Sequence, residues 1–95
     1  MKGDLKFMKT YPFTIQSSRG LHARPCASIA ATAKQFDASI SLETNGQEID
    51  ASNPIALMSA GISCGDDIIL RISGKNEDEA LKAINEIINN ELLQD

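Results

Sequence analysis

From Ala23 onward, apolar residues recur at Cys26, Ile29, Ala30 and Ala33, the i, i+3, i+4, i+7 spacing of one helix face. This predicts an amphipathic helix to about Gln35, whose small residues permit close packing on a sheet. Before it, Tyr11 to Gln16 alternates enough for a first strand, with Pro12 tolerable at a strand start or edge. Ser17, Ser18, Arg19 and Gly20 then form a polar loop. Ser39 to Thr44 places Ile40 and Leu42 on one face, Asn45-Gly46 is a hairpin-turn signal, and Gln47 to Asp50 returns as the partner strand. Ser52 or Asn53 can cap a short helix with Pro54 at its first position, running to about Ser59 and ended by Gly61. Ile68 to Ile72 is the last strand. Asn76 and Glu79 resemble a capping box opening a long helix, whose stripe of Ala80, Ile84, Ile87, Ile88 and Leu92 carries it to about Leu92.

The predicted order is β-α-β-β-α-β-α, an α+β arrangement with helices layered on one face of a sheet. No repeat or low-complexity segment interrupts it. Residues 1–8 read as a charged, flexible lead, with Met8 an alternative start, and residues 9–95 as a single domain.

At 95 residues the chain suffices for one domain with a modest core. Only four aromatic residues are present, so that core must be aliphatic. No apolar run approaches the roughly 18 to 20 residues that span a bilayer, and the N-terminus lacks a signal-peptide h-region, so a soluble, cytoplasmic protein is expected. Cys26 and Cys64 lack CxxC or Cys/His metal spacing and are expected to be reduced. Neither a metal site nor a cofactor is expected.

Net charge is −4, unevenly spread: residues 1–34 hold six Lys/Arg against one Asp, and residues 35–95 hold three against twelve Asp/Glu. The basic third suits a phosphate and an acidic docking partner, although an acidic C-terminal helix alone would produce much of the imbalance. A pI near 4.8 without a basic stripe or aromatic platform argues against nucleic acid.

The only histidine, His22, stands where the polar loop gives way to the alanine-rich helix. A helix start leaves about four N–H groups without intrahelical partners and adds the positive end of the macrodipole, so anions are favoured there. Arg24 contributes a planar donor fork suited to phosphate oxygens. An imidazole is substantially neutral near pH 7 and can present a ring nitrogen as a nucleophile. Pro25 fits a first helical turn, and Gly20 supplies freedom for a tight approach. These residues point to a histidine that carries a phosphoryl group. Arg24 could be only a solvated first-turn residue, but a cation is disfavoured at that helix end, so a bound anion is expected to match its charge. No GxxxxGK nucleotide loop is present, which argues against ATP chemistry within the chain.

Gly20-Leu21-His22-Ala23-Arg24-Pro25 resembles the phosphorylation-site signature of HPr, the histidine-containing phosphocarrier of the bacterial phosphoenolpyruvate-dependent phosphotransferase system. Asn53-Pro54-Ile55-Ala56-Leu57-Met58-Ser59-Ala60-Gly61 is similar to the family's second signature, at the expected distance downstream. The resemblance implies an open-faced β-sandwich, four antiparallel strands with three helices on one face. It implies that His22 accepts a phosphoryl group at Nδ1 from Enzyme I and passes it to an Enzyme IIA component for sugar uptake. Arg24 and the backbone N–H groups of Ala23 and Arg24 would hold the phosphate. The chain would act as a monomeric carrier whose partners supply the catalysis, which leaves open whether it counts as an enzyme.

Taken alone, Ile55 and Met58 would be core residues of the short helix. The resemblance instead makes them, with Ala23 and Ala27, a partly exposed docking patch beside the histidine. In many relatives a serine phosphorylated by a regulatory kinase stands where this chain has Asn53, which has no hydroxyl, and Ser52 is one residue out of register. No regulatory serine is therefore expected. Ile55-Ala56-Leu57 also resembles nitrogen-type relatives, so a regulatory paralogue acting as a phosphorylation-switched binding module stays open beside sugar uptake.

Overall fold

The computed structural model describes residues 8–94. Seven elements follow in the expected order: β1 (Met8–Thr14), α1 (Ala23–Ala33), β2 (Ala38–Thr44), β3 (Gln47–Asp50), α2 (Pro54–Ser59), β4 (Asp67–Gly74) and α3 (Glu77–Glu91). The strands form one antiparallel sheet in the order β1-β4-β2-β3.

Register follows from the period-2 alternation of buried residues. Leu70 on β4 lies opposite both Tyr11 on β1 and Leu42 on β2, and Leu42 lies opposite Ile49 on β3, so one apolar row crosses the whole sheet. Ile40, Ile68 and Ile72 extend that face, and the helices cover it with Ile29, Ala30, Leu57, Ala80, Ile84 and Ile88, all buried. The opposite face carries polar residues, among them Arg71, whose Nε donates to Glu43 Oε1 at 2.8 Å. A single covered face is what amphipathic helices and alternating strands dictate. The expected α+β open-faced sandwich is therefore the fold.

The hairpin turns as its dipeptide requires. Asn45 and Gly46 both have positive φ, 51° and 78°, the conformation of a tight turn that matches strand twist. Of the two candidate caps for α2, Asn53 is the one used: its side chain accepts from the Ala56 N–H at 3.1 Å, with Pro54 following at the first helical position.

Several boundaries differ from the sequence reading. Residues 1–7 of the expected lead lie outside the described residues, but Met8 belongs to β1, where it pairs with Ser73. That strand ends at Thr14 rather than Gln16 because the Gln16 N–H turns away to the Leu92 carbonyl. β4 extends to Asp67–Gly74 because two neighbouring strands pair along it. α1 stops at Ala33 rather than Gln35, where the Gln35 N–H tightens onto the Thr32 carbonyl.

The expected capping box on α3 does not form. Asn76 is left-handed, φ 59°, and its side chain makes no capping bond, since capping geometry needs an extended backbone at that position. The acidic first turn of Glu77, Asp78 and Glu79 complements the dipole instead. Asp78 also pairs with Lys9 at 3.0 Å, which raises the Lys9 pKa.

Both cysteines are free thiols; Cys26 is fully buried on the inner face of α1 and Cys64 is exposed. Burial pushes the Cys26 thiol above its ordinary range. A thiol reagent should therefore modify Cys64 in the native protein and reach Cys26 only after denaturant is added. Because the folded pKa exceeds the unfolded one, stability tied to Cys26 is intact below the ordinary thiol range and declines as pH climbs toward the raised value. Thermal melts across alkaline pH should show that loss, and Cys26→Ala should lack it.

Candidate functional site

The segment from Ile15 to His22 has no regular structure of its own, so its backbone groups must find partners elsewhere. Gln16 and Ser17 both donate N–H groups to the Leu92 carbonyl at the end of α3, at 2.7 and 3.1 Å. The Ile15 carbonyl accepts from Gly65, and Leu21 donates to the Ile62 carbonyl at 3.1 Å. A turn closes between the Gly20 N–H and the Ser17 carbonyl, with the Ser17 hydroxyl accepting from the Arg19 N–H. The loop is thus fixed on one side by α3 and on the other by the segment between α2 and β4.

Gly20 permits this. Its φ is +65°, and a Cβ built there would lie 2.7 Å from the Ile62 carbonyl oxygen and 3.0 Å from the Ser63 Cα. Both conformation and space require glycine.

The chain then enters α1 through His22, an extended N-cap (φ −90°, ψ −175°) whose carbonyl accepts the first helical bond from Cys26. The His22 side chain makes no capping bond. Pro25 has no N–H to give, so the groups left over at the helix start are the Ala23 and Arg24 N–H groups, which meet no acceptor among the described residues. With no acidic residue in that first turn, the positive end of the dipole is uncompensated by α1 itself.

An open hollow of about 480 Å³ lies beside this helix start, lined by Ser17, Ser18, Arg19, His22, Arg24, Asn90, Glu91 and Gln94. It brings the expected His22 and Arg24 together with Arg19, and adds three residues of the α3 end that no sequence pattern identified. One expectation fails: Arg24 is already matched within the chain. Its Nη2 lies 2.9 Å from Glu91 Oε1 and its Nε 3.1 Å from the same oxygen. The two residues are 67 positions apart and meet because α1 packs on α3, which is why local spacing missed the pair. A carboxylate in the last turn of α3, where the dipole favours a cation, was its one visible signal.

The residues of the expected docking patch are all exposed. Ala23 and Ala27 lie on the outer side of α1, and Ile55 and Met58 are 66% and 44% accessible on α2, against a fully buried Leu57 between them. They stand outside the hollow, on two helices that pack together. Ser52 is held by its neighbour: its hydroxyl and its N–H both donate to Asp50 Oδ1, at 2.7 and 2.9 Å, which lowers the Asp50 pKa.

Among the described residues no three His, Cys, Asp or Glu side chains cluster as metal ligands, and no helix is long and apolar enough to cross a membrane.

The architecture is thus a helix-layered sheet with a histidine at the N-cap of its first helix. Residues 9–90 match the family model described as the PTS HPr component phosphorylation site. The chain belongs to the HPr family. Solved structures agree. The histidine-containing phosphocarrier protein of Mycoplasma is similar at a TM-score of 0.84 and 26% identity, over 86% of this chain and 93% of that one. HPr of Thermoanaerobacter tengcongensis is similar at 0.79 and 34%, over 86% and 92%. The phosphocarrier protein HPr of Bacillus anthracis is similar at 0.75 and 30%, over 84% and 95%.

The close approach at Gly20 generates a prediction. Gly20→Ala should lower stability by about 1–2 kcal/mol from the left-handed backbone alone, and further by displacing the Ile62 carbonyl. Urea unfolding measures the loss, and the His22 amide resonance should shift with it.

Proposed function

We propose that this chain carries phosphoryl groups, accepting one from Enzyme I on His22 and delivering it to an Enzyme IIA component for sugar uptake. The observation that carries the reading is the start of α1 itself: the Ala23 and Arg24 N–H groups meet no acceptor among the described residues, and His22 and Arg24 at that helix start both line the hollow. An anion bound to the imidazole would find two backbone donors, the positive end of α1 and two guanidinium groups, those of Arg19 and Arg24.

The step is a displacement at phosphorus. The imidazole lone pair, at Nδ1 as in the family, forms the P–N bond while the bond from phosphorus to the donor breaks and its electron pair stays with the donor. Delivery reverses this, with the acceptor's lone pair displacing the imidazole. Summed over the first half, phosphoenolpyruvate is converted to pyruvate and His22 holds the phosphoryl group. Preorganised N–H donors need no rearrangement as charge arrives, which is the chain's own contribution to the rate. Positioning of the two reactants falls to the docked partners.

Ala23, Ala27, Ile55 and Met58 are the surface on which those partners would dock. Exposed apolar side chains next to a charged rim suit complexes that form and separate quickly. The same exposed patch supports a second reading, a nitrogen-type or regulatory paralogue in which phosphorylation of His22 switches binding.

Incubation with Enzyme I and labelled phosphoenolpyruvate should give acid-labile label on the wild-type protein. His22→Ala should abolish it while leaving the fold intact, since the imidazole makes no capping bond. Label retained at wild-type level on the variant overturns the assignment. Transfer of that label to an added IIA domain favours the carrier, and label that stays put favours the switched module.

The serine-directed regulation known in relatives should be missing here. Asn53 has no hydroxyl and serves as the α2 cap, while the Ser52 hydroxyl donates to Asp50. Mass spectrometry after incubation with ATP and the regulatory kinase should find no phosphate. A phosphate on Ser52 would show that the switch has moved by one residue.

A further inference from the structure

The two guanidinium groups that line the hollow beside His22 are not in the same condition. Arg24 is paired with Glu91. Arg19 is exposed, and among the described residues its side chain enters no ion pair and no hydrogen bond. Its backbone, by contrast, is fixed: the Arg19 N–H donates to Ser17 Oγ at 3.3 Å, inside the turn that the Gly20 N–H closes on the Ser17 carbonyl, and Ser17 is itself buried and tied to Leu92. A free charge stands on a fixed stem.

We infer that Arg19 is a phosphoryl-binding residue, one that meets the phosphohistidine from the loop side of the hollow and acts independently of Arg24. The inference rests on the phosphocarrier reading and adds to it a residue that stands before the Gly20–Pro25 signature.

Charge is the first argument. Arg19, Arg24 and Glu91 are the residues of fixed charge lining the hollow, and with Arg24 matched by Glu91 the positive charge left there is that of Arg19. The start of α1 adds roughly half an elementary charge, less than a phosphoryl group brings. Direction is the second. The Ala23 and Arg24 N–H groups approach from the helix, whereas Arg19 belongs to the loop, so the three acceptor oxygens of the phosphoryl group are met from two sides. Availability is the third, because Arg19 can turn its planar donor fork onto those oxygens without breaking any contact made among the described residues.

Arg19→Gln removes the charge and keeps a polar side chain. With catalytic Enzyme I and a fixed ratio of phosphoenolpyruvate to pyruvate, the equilibrium ratio of phosphorylated to unphosphorylated protein should fall by about three- to tenfold, between the scale of an exposed ion pair and that of a full charged hydrogen bond. The difference should narrow at high salt, and Arg19→Lys, which keeps the charge without the fork, should fall between wild type and Arg19→Gln. In an Arg24→Ala background the fall caused by Arg19→Gln should persist. An unmoved equilibrium in Arg19→Gln overturns the inference and leaves the phosphocarrier reading standing. A fall that disappears in the Arg24→Ala background overturns it too, since Arg19 would then act through Arg24. So does a fall that is independent of salt and equally large in Arg19→Lys, which would trace it to the shape of the loop rather than to charge. Wild-type protein that takes up no phosphoryl group at all overturns both readings.

Discussion

The site depends on one close approach, that of the Gly20 backbone to the carbonyl of Ile62. With 2.7 Å between an imagined Cβ and that oxygen, only glycine lets the loop lie flat enough for Leu21 to donate to the same carbonyl. Leu21 is then buried, and His22 is placed as the N-cap of α1 with its side chain left partly exposed. The other anchor is the Leu92 carbonyl, which accepts from both Gln16 and Ser17. That group is one of the carbonyls a helix C-terminus leaves unpaired, so the loop caps α3 as α3 holds the loop. Positioning a reactive side chain on a loop thus costs little order elsewhere, because the anchors are backbone groups that needed partners anyway.

Charge is arranged around the same hollow in an unusual way. Arg24 stands at the positive end of α1 and Glu91 at the negative end of α3, so each is placed against its own helix dipole. Packing α1 on α3 brings the two misfits within 2.9 Å, where each supplies what the other's helix lacks.

The sequence made the elements legible because their signals are local. The i, i+3, i+4, i+7 stripe of Cys26, Ile29, Ala30 and Ala33, the positive-φ pair Asn45-Gly46 and the Asn53-Pro54 cap each act within a few residues, and each forms as its pattern implies. Asn76 failed the same kind of test because a capping side chain needs a backbone conformation that composition does not report. The candidate site was legible only in half. His22 and Arg24 share one hexapeptide, whereas Glu91, the Leu92 carbonyl and the Ile62 carbonyl come from distant parts of the chain and enter through packing. The expectation of an unpaired Arg24 followed from that blindness: a helix start was read without the helix that lies against it.

The hollow beside His22 is open to solvent rather than enclosed. A deep pocket would bind a phosphoryl group tightly by excluding water and would also exclude the acceptor that has to reach it. Here the helix start offers two backbone N–H donors without an acceptor among the described residues and polar side chains that line the hollow, while the apolar Ile55 and Met58 lie outside it on a neighbouring helix. The exposed apolar side chains and the histidine are thereby on different parts of the surface. The loop that leads to His22 is held by the backbone of Leu92, Ile62 and Gly65, none of which lies on α2.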